Sequence, residues 1–308
     1  MGLFDKIRGP VFWKESSTAT VQLEQLQKLL ETATEELRPK IEQEIKMVQA
    51  GIHGENQILF ELKNSHIPMI VLHDLFLEHE GLSAQIDYLI ITRKHIFVVE
   101  SKNLIGNIEI NSSGDFIRTI QWGKKFQKEG LYSPITQNKR HLELIRAIRR
   151  DEKSNFVARA LFDRSFDETY RSIVVLANPK TYLNARFARK EIKQQVIRAD
   201  QLSEYIRKTD AEDSSGVISE QVMMELAQFF LDRHKENPRD YTERFQCILK
   251  QPEAEEENGE KAKQEEQIRC PRCGAPMVKR TAKKGENAGQ EFYGCSRFPQ
   301  CRGIINIV

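Results

Sequence analysis

The chain has 308 residues, 39% of them hydrophobic and 30% charged, with a formal net charge of +2. That length accommodates one large core and a satellite, and that composition excludes an intrinsically disordered chain. The near-neutral charge requires any nucleic-acid surface to be local. The longest apolar runs, such as Ile173-Val174-Val175-Leu176-Ala177, are strand-sized and too short to cross a membrane. The opening Met1-Gly2-Leu3-Phe4-Asp5-Lys6 lacks the apolar core of a secretory signal, and its sixth residue is not the Ser or Thr that N-myristoylation requires. A cytoplasmic protein without a membrane partner is therefore expected.

Residues from about Ser17 to Ala50 read as helix. Leu23, Leu26, Leu30, Ala33, Leu37, Ile41, Ile45 and Val48 recur at intervals of three and four, the stripe of an amphipathic helix. Pro39 is expected to kink or divide it. The stripe has two uses: covering the core of its own chain, or self-association through the N-terminal helix as a coiled coil. A second helix is expected through Glu55-Asn56-Gln57-Ile58-Leu59-Phe60-Glu61-Leu62.

The period then changes to that of strands. Met69–Leu72, Gln85–Ile91 and His95–Lys102 read as strands, and the short turn Thr92-Arg93-Lys94 joins the last two as an antiparallel hairpin. Asn107–Ile110 is expected to extend the sheet after a turn at Gly106. Ser133-Pro134 opens another helix, with Ser133 as cap and Pro134 in the first turn. Arg171–Asn178 is a nearly all-apolar strand of the kind buried on both faces. Helices follow around Ala199 to Lys208 and Ser219 to Arg233. This order describes an α/β core with a mixed sheet. Cys247 reads as a half-buried apolar residue. Residues 251–267 carry seven glutamates against two lysines and almost no apolar side chain, the composition of an acidic, solvated linker.

Asp87 lies on one strand of the expected hairpin, and Glu100 and Lys102 on the other. Residues two apart in a strand share a face, so Glu100 and Lys102 project together, and Asp87 can meet them across the pair. Two carboxylates suit a hard cation such as Mg2+, which activates water and steadies charge on a phosphate, while a neighbouring lysine orients that water or stabilises negative charge. Such triplets also occur on solvated strand faces. Here, however, Glu100 and Lys102 end a strongly apolar strand, where solvated charge is less expected.

Gly51-x-x-Gly54-Glu55, Gln85-Ile86-Asp87, Val99-Glu100-Ser101-Lys102-Asn103 and Pro134-x-x-Gln137-x-x-x-His141-Leu142 together resemble the motifs of the nuclease-related domain family, NERD, over roughly residues 47–178. That family is similar to the PD-(D/E)xK nucleases of restriction enzymes and RecB-type exonucleases. The resemblance implies Glu55 as an upstream acidic group near the metal, Asp87 and Glu100 as Mg2+ ligands and Lys102 as the catalytic lysine. It places Gln137 and His141 at a Gln-x-x-x-Tyr element, with His141 standing where the Tyr would be. Four residues apart on a helix, the two share a face. His141 reads equally well as a helix histidine packed with Ile145 and Ile148.

Near the C-terminal end, Cys270-Pro271-Arg272-Cys273-Gly274 and Cys295-Ser296-Arg297-Phe298-Pro299-Gln300-Cys301 supply two edges of a zinc tetrahedron. With Cys270, Cys273, Cys295 and Cys301 all ligating, no position is left for water, so the zinc is structural. A disulfide reading would require an exported protein. These residues, with Met277, Arg280 and Gly294, resemble the four-cysteine zinc finger of bacterial type I topoisomerases, which implies binding to single-stranded DNA or another nucleic acid. The module carries eight basic residues against two acidic ones; four thiolates and one zinc reduce this to a net +4 before the terminal carboxylate, still attractive to phosphate. Phe292, Tyr293 and Phe298 are available either to stack bases or to form the small core around the metal.

The expected architecture is α/β: a PD-(D/E)xK nuclease-like mixed sheet flanked by helices, plus a small C-terminal zinc-binding module. The expected divisions are an N-terminal helical arm (1–46), the nuclease-related domain (47–178), a helical extension (179–250), the linker (251–267) and the zinc finger (268–308). The expected function is Mg2+-dependent hydrolysis of phosphodiesters, with nucleic acid, most simply DNA, as partner. The alternative is a non-catalytic DNA-binding protein that retains a nuclease-like fold.

Overall fold

Alternating apolar residues and a few deliberate breaks account for most elements of the computed structural model, which describes residues 6–214, 216–245, 270, 272, 275–281 and 291–306. The linker 251–267, Cys247, Arg269, Cys273, Lys283, Lys284 and Glu286 lie outside the described residues. The chain divides into two compact units, Met1–Lys250 and Gln251–Val308.

The first unit runs β1 (Pro10–Lys14), α1 (Thr18–Glu31), α2 (Arg38–Lys63), β2 (Met69–His79), β3 (Leu82–Ile91), β4 (Ile96–Lys102), β5 (Asn107–Ile110), β6 (Phe116–Trp122) and β7 (Lys125–Leu131). It continues through α3 (Pro134–Asp151), α4 (Phe156–Thr169), β8 (Tyr170–Leu176), β9 (Tyr182–Asn184), α5 (Lys190–Lys193), β10 (Val196–Arg198), α6 (Leu202–Glu212) and α7 (Glu220–Arg233). Six strands form one mixed sheet in the order β1-β2-β3-β4-β8-β10. Strands β2, β3 and β4 are antiparallel neighbours, whereas β1 joins β2, and β8 joins β4 and β10, in parallel.

Strand alternation sorts the core into two layers. Ile70, Leu72, Leu89, Ile91, Ile96 and Val98 face Leu144, Ile145 and Ile148 of α3, Phe166 of α4 and Phe230 of α7. Val71, Tyr88, Ile90, Phe97, Val99, Ile173 and Val175 face Ile58 and Leu62 of α2 and Leu202 and Ile206 of α6. Among the described residues, no helix is long and apolar enough to cross a membrane.

The N-terminal stripe is divided between α1 and α2, as expected; Pro39 sits in the first turn of α2, where its missing N–H costs no helical hydrogen bond. Two local outcomes differ from the sequence reading. Helix α2 then runs on to Lys63 and absorbs the expected second helix. The stripe residues close on one another: Leu26, Leu37, Ile41 and Val48 are buried with Phe245, flanked by Leu23, Leu30, Ala33 and Ile45. The chain thus fills its own seam, and that seam gives no support to self-association.

Asn107–Ile110 also departs from its expected place. It belongs to a second sheet, ordered β7-β6-β5-β9, and does not extend the first. Gly106 adopts φ +102°, and a Cβ there would meet the Thr119 carbonyl oxygen at 2.5 Å, so only glycine permits this turn out of the main sheet. Ile108, Ile110 and Phe116 of the second sheet pack on Val174 and Leu176.

Gly54 allows α2 to approach the ends of β4 and β8. A Cβ at Gly54 would lie 2.6 Å from Asn103 Cβ and 3.2 Å from Ala177 Cβ, while Gly51 has nothing within 4 Å. The Asn103 amide caps this contact by donating to the Ala50 carbonyl. Gly54→Ala is expected to destabilise the unit by about 1–3 kcal/mol through overpacking. Gly51→Ala, in an open helical position, should instead stabilise by roughly 0.5–1 kcal/mol. Chemical denaturation of the two variants checks this; equal effects would remove the close-approach explanation.

Candidate active site and zinc centre

Val98, Glu100 and Lys102 follow one another along the face of β4 that α3 covers. Alternation from Ile91 and Leu89 carries Asp87 to the same face of β3. Glu100 is 1% exposed, while Asp87, Lys102 and Gln137 are partly buried. Asp87 Oδ2 accepts the Ser101 backbone N–H at 2.6 Å. Lys102 Nζ donates to Glu100 Oε1 at 2.5 Å and to Gln137 Oε1 at 3.2 Å. His141 Nδ1 lies 3.6 Å from Glu100 Oε2. Four of the six expected residues, Glu100, Lys102, Gln137 and His141, are therefore in one constellation, with Asp87 beside it.

Glu55 is placed differently. It lies on α2, which covers the opposite face of the sheet, and its carboxylate accepts Ser17 Oγ at 3.1 Å and lies 3.2 Å from His73 Nε2. It acts on Asp87 through charge, as one of the groups raising that carboxyl's pKa.

Helix α3 is fixed by a residue that the sequence reading passed over. Ser133 caps it by accepting the Thr136 N–H. Asn138 is fully buried, and its amide donates to Val98 O at 2.8 Å, Ser172 Oγ at 3.0 Å and Ile173 O at 3.2 Å. A polar residue within the buried stripe Pro134, Asn138, His141, Leu144 and Ile148 was the available signal. A second missed group surrounds Asp74, which has φ +58° and leaves a gap in the β2–β3 ladder opposite Asp87. Its carboxylate takes the Thr18 N–H at 2.5 Å and the Thr18 hydroxyl at 2.7 Å. It also accepts the amide of Gln85, which accounts for the Gln in Gln85-Ile86-Asp87. Lys14 Nζ ties β1 to the same point through Asp74 O at 2.8 Å and His73 O at 3.0 Å.

The electrostatics are those of a crowded acidic centre. Burial, then the Glu100 carboxylate, then Glu55 push the Asp87 pKa well above the usual carboxylate range, against the Ser101 N–H and Lys102. Burial also raises Glu100, and Lys102 opposes it. His141 is lowered to about 4, first by burial and then by the charge of Lys102. Glu100 Oε2 and His141 Nδ1 are both buried without a hydrogen-bond partner among the described residues. An unpartnered buried carboxylate oxygen beside a second acidic group fits a hard divalent cation.

His141 titrates near 6.5 when unfolded and near 4 in the fold, so the stability that it contributes is complete above about pH 6.5 and is lost as pH falls toward 4. The raised carboxyls act with the opposite sign. Comparing wild type with His141→Gln in metal-free buffer isolates the histidine: wild type should lose about 2 kcal/mol more between pH 7 and pH 5. Equal losses in urea titrations would show that His141 is not held neutral by the fold.

In the second unit, β11 (Met277–Thr281), β12 (Glu291–Cys295) and β13 (Ile304–Asn306) form an antiparallel sheet. The Sγ atoms of Cys270, Cys295 and Cys301 lie within 4.8 Å of one another. Cys270 and Cys301 Sγ are 3.7 Å apart, far beyond a disulfide. Zn–S bonds of about 2.3 Å give a tetrahedron with edges of roughly 3.8 Å, so these thiols fit zinc. Cys273, the expected fourth ligand, lies outside the described residues. The Arg297 N–H donates to Cys295 Sγ at 3.4 Å, as an outer-shell bond to a thiolate does. Phe298 is exposed with Arg280 over its ring at 5.8 Å, whereas Phe292 and Tyr293 are half-buried in β12.

Gly303 is a further unanticipated requirement, since a Cβ there would lie 2.2 Å from Cys270 Sγ. Gly303→Ala should therefore release zinc, read as a fall from one bound zinc per chain by metal analysis, while the thermal transition of the first unit persists. Full zinc retention would show that the backbone can move off the sulfur.

Residues 50–177 match the family model described as Nuclease-related domain, and residues 267–308 match that described as Topoisomerase DNA binding C4 zinc finger. Comparison with curated proteins and with solved structures gave no match. The chain thus carries a nuclease-related domain, built on a mixed α/β sheet, followed by a topoisomerase-type four-cysteine zinc finger.

Proposed function

We propose that this protein is a divalent-metal-dependent nuclease that hydrolyses phosphodiester bonds in DNA, with the zinc finger holding nucleic acid for the first unit. The observation that carries the proposal is the convergence of Glu100, Lys102, Gln137 and His141 beside Asp87, with the buried Glu100 Oε2 lacking a hydrogen-bond donor. Asp87 and Glu100 would hold the cation, Mg2+ being the hard ion that suits carboxylate oxygens, and when bound it supplies Lewis-acid activation of water and charge neutralisation at phosphorus.

The chain's own residues divide the remaining work. Lys102 Nζ, already a donor to Glu100 and Gln137, is placed to donate to a phosphate oxygen or to the attacking water. Gln137 positions Lys102. His141 is neutral at physiological pH because its pKa is about 4, so it serves as a hydrogen-bonding group and not as a cation for phosphate. Burial and the Glu100 charge make the Asp87 carboxylate costly without a counter-charge, which favours cation uptake. The zinc finger is covalently tethered, and a tethered binding module raises the local concentration of its ligand for the other unit.

A second reading has one observation in its favour. The Lys102–Glu100 ion pair already partly neutralises the buried carboxylate, as a non-catalytic DNA-binding domain would require. Incubating purified full-length protein with linear and circular DNA, with Mg2+ or Mn2+, separates the two. The nuclease reading expects cleavage that EDTA stops and that Lys102→Ala lowers by at least about 100-fold, while DNA affinity stays within about twofold. Wild type that cleaves neither DNA nor RNA, or Lys102→Ala that cleaves as well as wild type, overturns it.

A further inference from the structure

We propose that the β6–β7 hairpin is an arm that grips the nucleic-acid strand presented to the Asp87–Glu100–Lys102 centre. In the chain the arm lies between two of the three elements that carry the centre: β4 ends at Lys102 before it, and α3, with Gln137 and His141, begins at Pro134 after it. Its base is rigid, because Ile108, Ile110 and Phe116 are buried against Val174 and Leu176. Beyond Thr119, the last residue paired with β5, it extends as a two-stranded hairpin to the turn at Gly123, about 13 Å at roughly 3.3 Å per strand residue.

The projecting part has the chemistry of a phosphate-binding surface. Arg118 and Glu129 neutralise each other across the ladder, at 2.6 Å from Nε to Oε1. That leaves the exposed Lys124, Lys125 and Lys128 without a carboxylate partner among the described residues. Phe126 stands between them, 67% exposed, on the strand face opposite the one that buries Phe116. Nearer the centre, Tyr132 is also exposed, with the Arg140 guanidinium 5.7 Å from its ring, and Arg140 immediately precedes His141. Phe126 and Lys128, two residues apart, share one face of β7, Lys125 projects from the other and Lys124 lies in the turn, while Tyr132 and Arg140 stand near the start of the helix that lines the centre. Lysines beside an exposed ring suit a single strand, whose phosphates and unpaired bases they can both meet.

The identity of the strand as substrate rests on the nuclease reading; the binding itself does not. Strand β7 is also a sheet edge, and lysines on an edge discourage pairing with other chains. That role alone would leave nucleic-acid affinity unchanged.

The test uses full-length, zinc-loaded protein in buffer without chelator and without added Mg2+ or Mn2+, with fluorescence anisotropy of a single-stranded DNA oligonucleotide across a salt series. The zinc finger is present throughout, so its contribution cancels between variants. Lys124→Ala/Lys125→Ala/Lys128→Ala should weaken binding roughly tenfold or more and flatten the log–log salt slope by about 2, for three lost contacts on a single strand. The corresponding triple Lys→Arg variant should bind as wild type does. Phe126→Ala should weaken binding about tenfold with the slope unchanged. Lys124→Gln/Lys125→Gln, confined to the turn and the first residue of β7, guards against misfolding of the triple variant. Unchanged affinity and slope in the lysine variants that melt as wild type does would overturn the proposal and leave edge protection as the role of the lysines. Because no Mg2+ or Mn2+ is added, absence of cleavage by wild type in the separate nuclease assay would remove the nuclease reading without touching this result.

Discussion

The structure of the first unit turns on burying one carboxylate at the end of an apolar strand. Glu100 continues the line of Ile96 and Val98 into the interface between the sheet and α3, where an ionised group without compensation costs several kcal/mol. Lys102, two residues on and thus on the same face, offsets part of that cost. The remaining oxygen has no hydrogen-bond donor among the described residues, and His141 Nδ1, 3.6 Å away, is likewise unpartnered among them. A fold selected for stability alone would have placed an apolar residue at Glu100, as replacing buried ion pairs often stabilises. The retained charge is what the proposed site rests on.

Everything around this carboxylate serves to hold two layers in register. Asn138 locks α3 to the backbone of β4 and β8, so that Gln137 and His141 come down over the charged end of β4. On the other face, Gly54 lets α2 settle against Asn103 and Ala177. Asp74 and Lys14 then fasten β1 and the start of α1 at the break in the β2–β3 ladder opposite Asp87. The motif glycine and glutamine thus act on the fold, through a close helix approach and a hydrogen bond to Asp74.

The two units are stabilised by different physics. The first is a two-layered hydrophobic core divided by a sheet. Among the described residues, the buried cluster of the second consists of Cys270, Ala275 and Cys295, with Met277 and Cys301 packed against it. A zinc module of about forty residues is short for a self-sufficient apolar core, so metal ligation supplies much of its folding free energy. Hence the second unit answers to chelators and thiol chemistry, and the first to core packing.

The sequence by itself determined those features that depend on local period and on ligand spacing. Strand alternation placed Glu100 and Lys102 on one face, the buried run at Ile173–Ala177 became the strand beside β4, and the cysteine spacing indicated zinc. It placed Gln137 and His141 together because helical period is equally local. Only the tertiary structure decided which layer each charged residue entered. Glu55 shares a motif with Gly54 yet bonds to Ser17 and His73 across the sheet from α3, and Asp74, Asn138 and Gly303 acquire their roles from segments distant in the chain. The strand Asn107–Ile110 reads the same in either sheet, because alternation specifies a buried face and not a neighbour; a left-handed glycine beneath the Thr119 carbonyl made that choice.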